Sequence, residues 1–156
     1  MEPDTKNTWM DADVGRFDVP LPEGTKSEET REKSTGQDLA LAAARIVFAL
    51  LFAVHGAQKL FGIFGGEQML HDPWLATAGI LEVGGGILIA LGYLTRPVAF
   101  VLCGEMAVAY FKVHFPGGFL PIINRGEVAV LYCFFFLYLA VRGAGAVSID
   151  GLRGKA

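Results

Sequence analysis

Four apolar segments limit what this chain can fold into. They lie at about 39–62, 75–94, 97–114 and 126–141, with short polar joints between them. A helix needs roughly 17–25 apolar residues to cross a hydrocarbon core of about 30 Å, and the last segment reaches that length only with its flanks. A soluble bundle would need a charged stripe on every helix, and the last segment, VAVLYCFFFLYLAV, has none. The segments therefore predict an all-α membrane protein, a bundle of four transmembrane helices.

The charge of the chain is unevenly distributed. Residues 1–38 carry ten acidic and five basic side chains, whereas the remaining residues carry six acidic and eight basic ones. The polar, proline-containing composition of residues 1–37 predicts a disordered acidic tail. A membrane domain is expected at 38–152, with Asp38 capping its first helix, and a short C-terminal tail at 153–156.

Two of the apolar segments each contain one carboxylate. Glu82 precedes three glycines, and Glu105 lies in the run LCGEMAVAYF. A charged side chain at the bilayer centre costs about 2.5–3.5 kcal/mol on insertion scales, so such residues usually face the bundle interior and have a partner or a function. The small residues Ala78, Gly86 and Ala90 share a helical ridge with Glu82 and turn it toward a neighbouring helix. The alternative is that both acids are protonated and hydrogen-bonded across helices for structure alone.

The first apolar segment supplies basic partners for these acids. Stepping 100° per residue places Arg45 and Lys59 on one stripe, with His55 on its flank. Either the two basic side chains snorkel to the membrane surfaces, or one of them pairs with an acid. We predict a coupled network of Arg45, Lys59, Glu82 and Glu105 that contains at least one ion pair.

The basic residues of the short flanks predict the orientation of the chain, because Lys and Arg are enriched on the cytoplasmic side. One side would carry only Lys112 and Arg125, and the other would carry Lys26, Arg31, Lys33, Arg96, Arg142, Arg153 and Lys155. Both termini are therefore expected in the cytoplasm, in a multi-pass protein of the plasma (inner) membrane. In this orientation most of the ionisable groups meet in the outer half of the bundle, whereas Arg45 lies below them.

The two cysteines, Cys103 and Cys133, both lie inside apolar segments and form no CxxC motif. We expect them to be small buried apolar side chains, and a dithiol relay is not expected. The sequence has no CxxCH, cysteine cluster or dinucleotide fingerprint. No metal site is predicted, and no redox cofactor is encoded by a motif.

Several ordered motifs resemble the DoxX family of small four-helix membrane proteins. They are Arg45 with RIVFALLFAVHGAQKLFG, Glu82 in GILEVGGGILIALGYLTRPVA, the acid of the third segment, and PIINRGEVAVLYCFFFLYLAVRGAGAVSID. The similar region runs from about Leu39 to Leu152. The resemblance implies a plasma-membrane protein associated with oxidoreductase chemistry, and one member type is a subunit of a thiosulfate:quinone oxidoreductase.

The patterns predict a buried polar site, and the resemblance implies a subunit or partner of a quinone- or sulfur-compound-linked membrane oxidoreductase. Two alternatives stay open, a non-enzymatic adaptor that recruits a soluble redox or detoxifying enzyme through the acidic tail and a small carrier for a hydrophobic molecule. Expected partners are the lipid bilayer, a redox protein and further copies of the chain, but not nucleic acid. The cofactor is unknown, with a quinone as the candidate. Candidate catalytic residues are Glu82, Glu105 and His55, and candidate substrate-binding residues are Arg45, His55, Lys59, Glu82, Glu105, Asn124 and Glu127.

Overall fold

The computed structural model describes residues 23–66 and 68–155, with side chains described from Ser34 onward. The chain forms two units that divide between Lys33 and Ser34, and the packing below is that of the second unit. All the regular elements in the described part are helices. The α-helices are α1 (Glu23–Phe61), α2 (Pro73–Leu91), α3 (Thr95–Ala109), α4 (Pro121–Asn124), α5 (Glu127–Arg142) and α6 (Ile149–Leu152), and short π-helical and 3-10 turns follow α3 at Tyr110–His114 and Phe115–Gly117.

The first helix begins earlier than the sequence predicted. It starts at Glu23, so the predicted disorder is not confirmed for residues 23–37, and residues 1–22 lie outside the described part. Extending an existing helix is far easier than starting one, so a segment rich in Glu, Lys and Arg continues the helix that the apolar segment forms. Asp38 is therefore not a cap. It lies within α1, and its carboxylate is 3.7 Å from the guanidinium of Arg142 on α5.

Three stretches of helix in the described residues are long and apolar enough to cross a membrane. They are Ser34–Phe61, Pro73–Leu91 and Thr95–Gly117. Helix α5 has 16 residues, about 24 Å of helix, which is below the usual length of a span. The fourth span therefore stays a prediction, although α5 lies within one residue of the predicted segment 126–141.

The side chains of the helices separate into an inner and an outer set. Phe52, Leu102 and Phe136 are almost completely buried in the core, whereas Phe100 and Phe134 are exposed on the outer surface. An outer surface of large apolar side chains is unusual for a protein in water and suits contact with lipid.

The neighbour order of the helices, which the sequence left open, follows from their contacts. The rings of Phe48 on α1 and Phe135 on α5 stack with centroids 4.3 Å apart. Helix α3 packs against both α2 and α5, and α1 also packs closely on α2. Helix α1 thus contacts both α2 and α5, as α3 does.

Glycines allow α1 and α2 to approach to backbone contact. A Cβ added at Gly56 would lie 2.7 Å from the carbonyl oxygen of Gly79, and one at Gly86 would lie 2.8 Å from that of Ala49. These distances are shorter than atoms tolerate, so both positions require glycine. The close approach turns Glu82 into the helix interface, as the small-residue ridge predicted, and only 2% of its side chain is exposed.

We expect Gly86→Ala to destabilise the bundle by about 1–3 kcal/mol, because the added methyl group overpacks the α1–α2 contact. The matched control is Gly84→Ala, two residues away, where a Cβ would meet nothing within 4 Å. This control should be neutral or stabilising by up to about 1 kcal/mol through helix propensity. Unfolding in mixed micelles, followed by circular dichroism, measures both, and equal stability of the two variants would contradict the packing.

The end of the bundle at the α2–α3 turn, here called the turn end, is closed by the C-terminal segment. Arg45 on α1 donates through Nη1 to the carbonyl oxygens of Ile89 (2.5 Å) and Ala90 (2.6 Å), and through Nη2 to that of Val147 (2.7 Å). Only 1% of Arg45 is exposed. One guanidinium therefore joins α1, the last turn of α2 and the segment after α5.

Asp150 completes this closure. Its two carboxylate oxygens accept hydrogen bonds from the backbone N–H groups of Leu94 (3.0 Å) and Thr95 (2.8 Å) at the start of α3. Burial alone would raise the pKa of Asp150, but these amide donors outweigh it and hold the pKa below its ordinary value. Asp150 acts as the N-terminal cap that Leu94 cannot provide.

The opposite end, here called the loop end, is built around the last turn of α3. Residues Tyr110–His114 form a π-helical turn, a feature often found at functional sites. The hydroxyl of Tyr110 donates to the carbonyl oxygen of Phe119 at 2.5 Å, and Nδ2 of Asn124 donates to that of Gly118 at 2.7 Å. These bonds fold the glycine- and proline-rich loop against α3.

Candidate functional site

A buried ion pair lies near the loop end of the bundle. Nζ of Lys59, in the last turn of α1, contacts Oε1 of Glu82 on α2. Helix α1 brings its last turn opposite the middle of α2 because the two backbones touch at Gly56 and Gly79. Lys59 keeps 26% of its side chain exposed, whereas Glu82 is buried. The predicted ion pair is therefore present, and it joins Lys59 to Glu82.

A second acid faces the same region without a partner. Both carboxylate oxygens of Glu105 on α3 are buried, and neither has a hydrogen-bond partner among the described residues. Oε2 of Glu82 is buried and unpartnered in the same way. Buried carboxylate oxygens without donors are costly, so three oxygen atoms here are available to a proton, a water molecule or a ligand.

A cavity of about 300 Å³ connects these groups. It lies between α1, α2 and α3, and Lys59, Glu82 and Glu105 all line it. Its other walls are apolar, aromatic or imidazole, from Met69, Trp74, Leu75, Ala78, Met106, Ala109, Val113 and His114. A cavity of this size with a few convergent polar groups in apolar walls is typical of a small-molecule site.

A second cavity, of about 260 Å³, adjoins the first on the α5 side. It shares five lining residues with the first, including Lys59, Glu82 and His114, and adds His55, Tyr132 and Arg125. The ring of His55 meets that of Tyr132 edge-on, with centroids 6.2 Å apart. The Lys59–Glu82 pair therefore stands between two chambers of one polar region.

Glu105 also lines a third, smaller opening between α2 and α3. This opening holds about 170 Å³ and is almost entirely apolar, with Trp74, Ala78 and Gly104 in its walls. A Cβ at Gly104 would meet nothing within 4 Å. The Glu105 carboxyl therefore lies between the interior cavity and a gap on the outer apolar surface of the bundle.

The structure does not bring every predicted site residue to this region. His55, Lys59, Glu82 and Glu105 meet there, but Arg45 does not. Arg45 lies 14 positions before Lys59, about 21 Å along the helix, and its hydrogen bonds go to carbonyl oxygens at the turn end. Arg45 was predicted to join one network with the acids, and this prediction was wrong, because a helical wheel gives the direction around the axis and not the partners at each depth.

Asn124 and Glu127 also lie outside the cavities. Both ends of the Asn124 amide are used in the loop, since Nδ2 donates to Gly118 and Oδ1 accepts from the backbone N–H of Gly126 at 2.8 Å. Glu127 is exposed in the first turn of α5. Asn124 therefore supports the loop end through hydrogen bonds at both Nδ2 and Oδ1, and Glu127 is a surface acid.

Sequence reasoning missed several residues that line the site, above all His114, Trp74 and Tyr132. In a regular helix His114 would lie 180° from Glu105, but the π-helical turn at Tyr110–His114 changes that register and brings the imidazole to the cavity. Trp74 had no periodicity signal, because it lies in the first turn of α2, two residues after the N-cap Asp72. Nζ of Lys112 lies 4.0 Å from the ring centroid of Trp74.

The sequence model of the DoxX family matches residues 40–115 of the chain. Similar proteins include one from Haemophilus influenzae named only as uncharacterized, which is 45% identical over 117 residues, covering 70% of this chain and 87% of that protein. The chain belongs to the DoxX family. The matched region contains Arg45, His55 and Lys59 on α1, Glu82 on α2 and Glu105 on α3.

Two similar proteins from Escherichia coli are named as inner membrane proteins. Inner membrane protein YqjF is 32% identical over 76% of this chain and 95% of its own length. Inner membrane protein YphA is 33% identical over 70% of this chain and 87% of its own length. No solved structure matches the chain.

Proposed function

We propose that this DoxX-family protein is a multi-pass inner-membrane subunit or partner of a membrane oxidoreductase, and that its loop-end cavity binds a quinone headgroup or a similarly small redox-active substrate. The observation that carries the proposal is the buried Glu105 carboxyl, which has no hydrogen-bond partner among the residues that the structure describes and faces the same cavity as the Lys59–Glu82 pair. A structural acid would have its hydrogen-bond partners within the protein. An acid that lacks them beside a cavity is better explained by a ligand.

The chemistry of the lining suits a quinone. Quinone carbonyl oxygens accept hydrogen bonds, and the Lys59 ammonium and the His55 and His114 rings can donate them. Apolar and aromatic side chains such as Met106 and Trp74 suit the flat ring. Reduction of a quinone consumes protons, and the Glu105 carboxyl and these histidines are groups that can relay them. The electrons would come from a partner protein or a bound cofactor.

The gap between α2 and α3 supports a ligand that is soluble in the membrane. Glu105 lines both this gap and the interior cavity, so a molecule dissolved in the bilayer would meet the carboxyl without first entering water. This access also suits the second candidate function, a carrier for a small hydrophobic molecule. The oxidoreductase and carrier functions differ in whether the ligand reacts, because a carrier moves its ligand without changing the ligand's oxidation state.

The proposal includes α5 as a fourth span and both termini in the cytoplasm. Of the basic residues in the flanks and short loops, seven would lie on the side of the termini and two on the other, which supports this orientation. The site then lies in the outer half of the bundle. Labelling of single cysteines at position 27 or 71 with a membrane-impermeant thiol reagent distinguishes this orientation from its inverse.

The fluorescence of Trp74 provides a direct test of binding, because its side chain lines the cavity. In a Trp9→Phe background, a short-chain benzoquinone is expected to quench Trp74 saturably. Glu105→Leu should weaken this binding roughly ten-fold, which corresponds to about 1.4 kcal/mol. The same variant should be at least as stable as the wild type, because it removes an unpartnered buried acid.

The matched control is Glu127→Leu, which changes an exposed acid outside the cavities near the same end of the bundle. It should leave the quenching curve unchanged. Quenching that rises linearly without saturation, or equal affinity in the Glu105→Leu and Glu127→Leu variants, would contradict the proposed site.

A further inference from the structure

The two cysteines, far apart in sequence, meet between neighbouring helices. Cys103 on α3 and Cys133 on α5 have their Sγ atoms 3.7 Å apart, and both are free thiols. Sγ of Cys133 also lies 3.5 Å from the carbonyl oxygen of Cys103. The spacing of the two residues in the sequence gave no sign of this contact, because it depends on α3 and α5 being neighbours.

The geometry points to a reversible disulfide between Cys103 and Cys133, a redox modification site that ties α3 to α5 within the membrane domain. A disulfide bond is about 2.05 Å long, so the sulfur atoms must approach by less than 2 Å. Small rotations of the two Cys side chains and a slight helix adjustment supply such a movement. Both side chains are partly buried and pack against the core, where oxidants dissolved in lipid can reach them more readily than oxidants dissolved in water.

The oxidant we infer is a quinone, a two-electron acceptor that partitions into the bilayer. Each thiol loses its hydrogen, the S–S bond forms, and the two electrons and two protons convert the quinone to the quinol. A dithiol reductant reverses the change by thiol–disulfide exchange. This step needs only contact between quinone and thiol, so it does not rest on binding at the loop-end cavity.

The proposed disulfide would lie next to residues that line the candidate site. Cys103 is one helical turn from Met106, and Cys133 follows Tyr132; both of these neighbours line the second cavity. Oxidation would fix the α3–α5 contact one turn away from that cavity. The redox state of the pair would therefore influence how freely α3 and α5 separate to admit a ligand.

The test uses the full-length protein in membrane vesicles, which has only these two cysteines. Reduced vesicles are treated with a short-chain benzoquinone whose ring is fully substituted, so that thiols cannot add to it. The protein is then denatured, alkylated with N-ethylmaleimide and weighed intact. We expect the oxidised chain to have lost two hydrogen atoms and to carry no maleimide, whereas the reduced chain carries two.

Cys133→Ser is the control, and it should carry one maleimide with or without the quinone. Gel electrophoresis without reductant should show a monomer, since the bond is within one chain. Two alkylated cysteines after quinone treatment, or a dimer that reductant dissociates, would overturn the inference. This test is independent of the Trp74 titration, because the double variant Cys103→Ala/Cys133→Ala cannot form the disulfide but should still bind the quinone at the cavity.

Discussion

Lys59→Met is expected to lower the free energy of unfolding by about 3 kcal/mol, because it strands the buried Glu82 carboxylate without its cation. Glu82→Gln should cost less. The Lys59 side chain that remains is 26% exposed and can extend toward the membrane surface. The double variant should be less destabilised than the sum of the two single changes, by at least about 1 kcal/mol.

Unfolding in mixed micelles measures this cycle, with Lys112→Met as the matched control. Lys112 lies at the same end of the bundle, and its ammonium group meets the Trp74 ring rather than an acid. Its loss should cost no more than about 1 kcal/mol. Additive effects of Lys59→Met and Glu82→Gln would mean that the two charges do not stabilise each other in the folded protein.

Arg45→Met should destabilise the turn end by roughly 3 kcal/mol or more. It leaves three backbone carbonyl oxygens without the guanidinium that now binds them, those of Ile89, Ala90 and Val147, and hydrogen bonds to charged groups contribute about 1.5–3 kcal/mol each. Arg45→Lys should recover only part of this loss, because an ammonium group does not reproduce the fork of the guanidinium. Arg96→Met, which removes an exposed arginine at the same end, should change stability by no more than about 0.5 kcal/mol.

Asp150 makes the same region sensitive to acid. Its pKa is lower in the folded protein than its ordinary value of 3.8, so its stabilising effect is complete above that value and is lost as the pH falls through the folded-state pKa. The free energy of unfolding of the wild type should therefore exceed that of Asp150→Asn by a constant amount near neutral pH. This difference should shrink as the pH falls through the acidic range. A difference that stays constant through the acidic range, or that shrinks as the pH rises, would contradict the role of the carboxylate as a cap.

The sequence predicted the helical segments well and their partners less well. Helices α2 and α3 begin within two residues of the predicted starts at 75 and 97, because long apolar runs and the turn between them leave few alternatives. The pairing of Lys59 with Glu82 was among the predicted contacts, since both lie on faces rich in small residues. Periodicity thus identified the face that each of these helices turns toward the interior of the bundle.

Periodicity could not locate what depends on neighbours or on departures from a regular helix. Arg45 shares the stripe of Lys59, yet its partners are backbone carbonyl oxygens, which carry no sequence signal. His114 reaches the cavity only because of the π-helical turn. Asp150 caps a helix that begins 55 residues earlier, and the Cys103–Cys133 contact depends on the α3–α5 interface.

Native mass spectrometry of the protein released from mild detergent tests the central claim most directly, because it detects whatever the cavity holds. We expect one small membrane-soluble molecule, with the mass of a quinone, bound to the wild type and to Glu127→Leu, and absent from Glu105→Leu although that variant is folded. An empty wild-type protein, or equal occupancy in Glu105→Leu, would contradict the assignment of the Glu105 cavity as a ligand site.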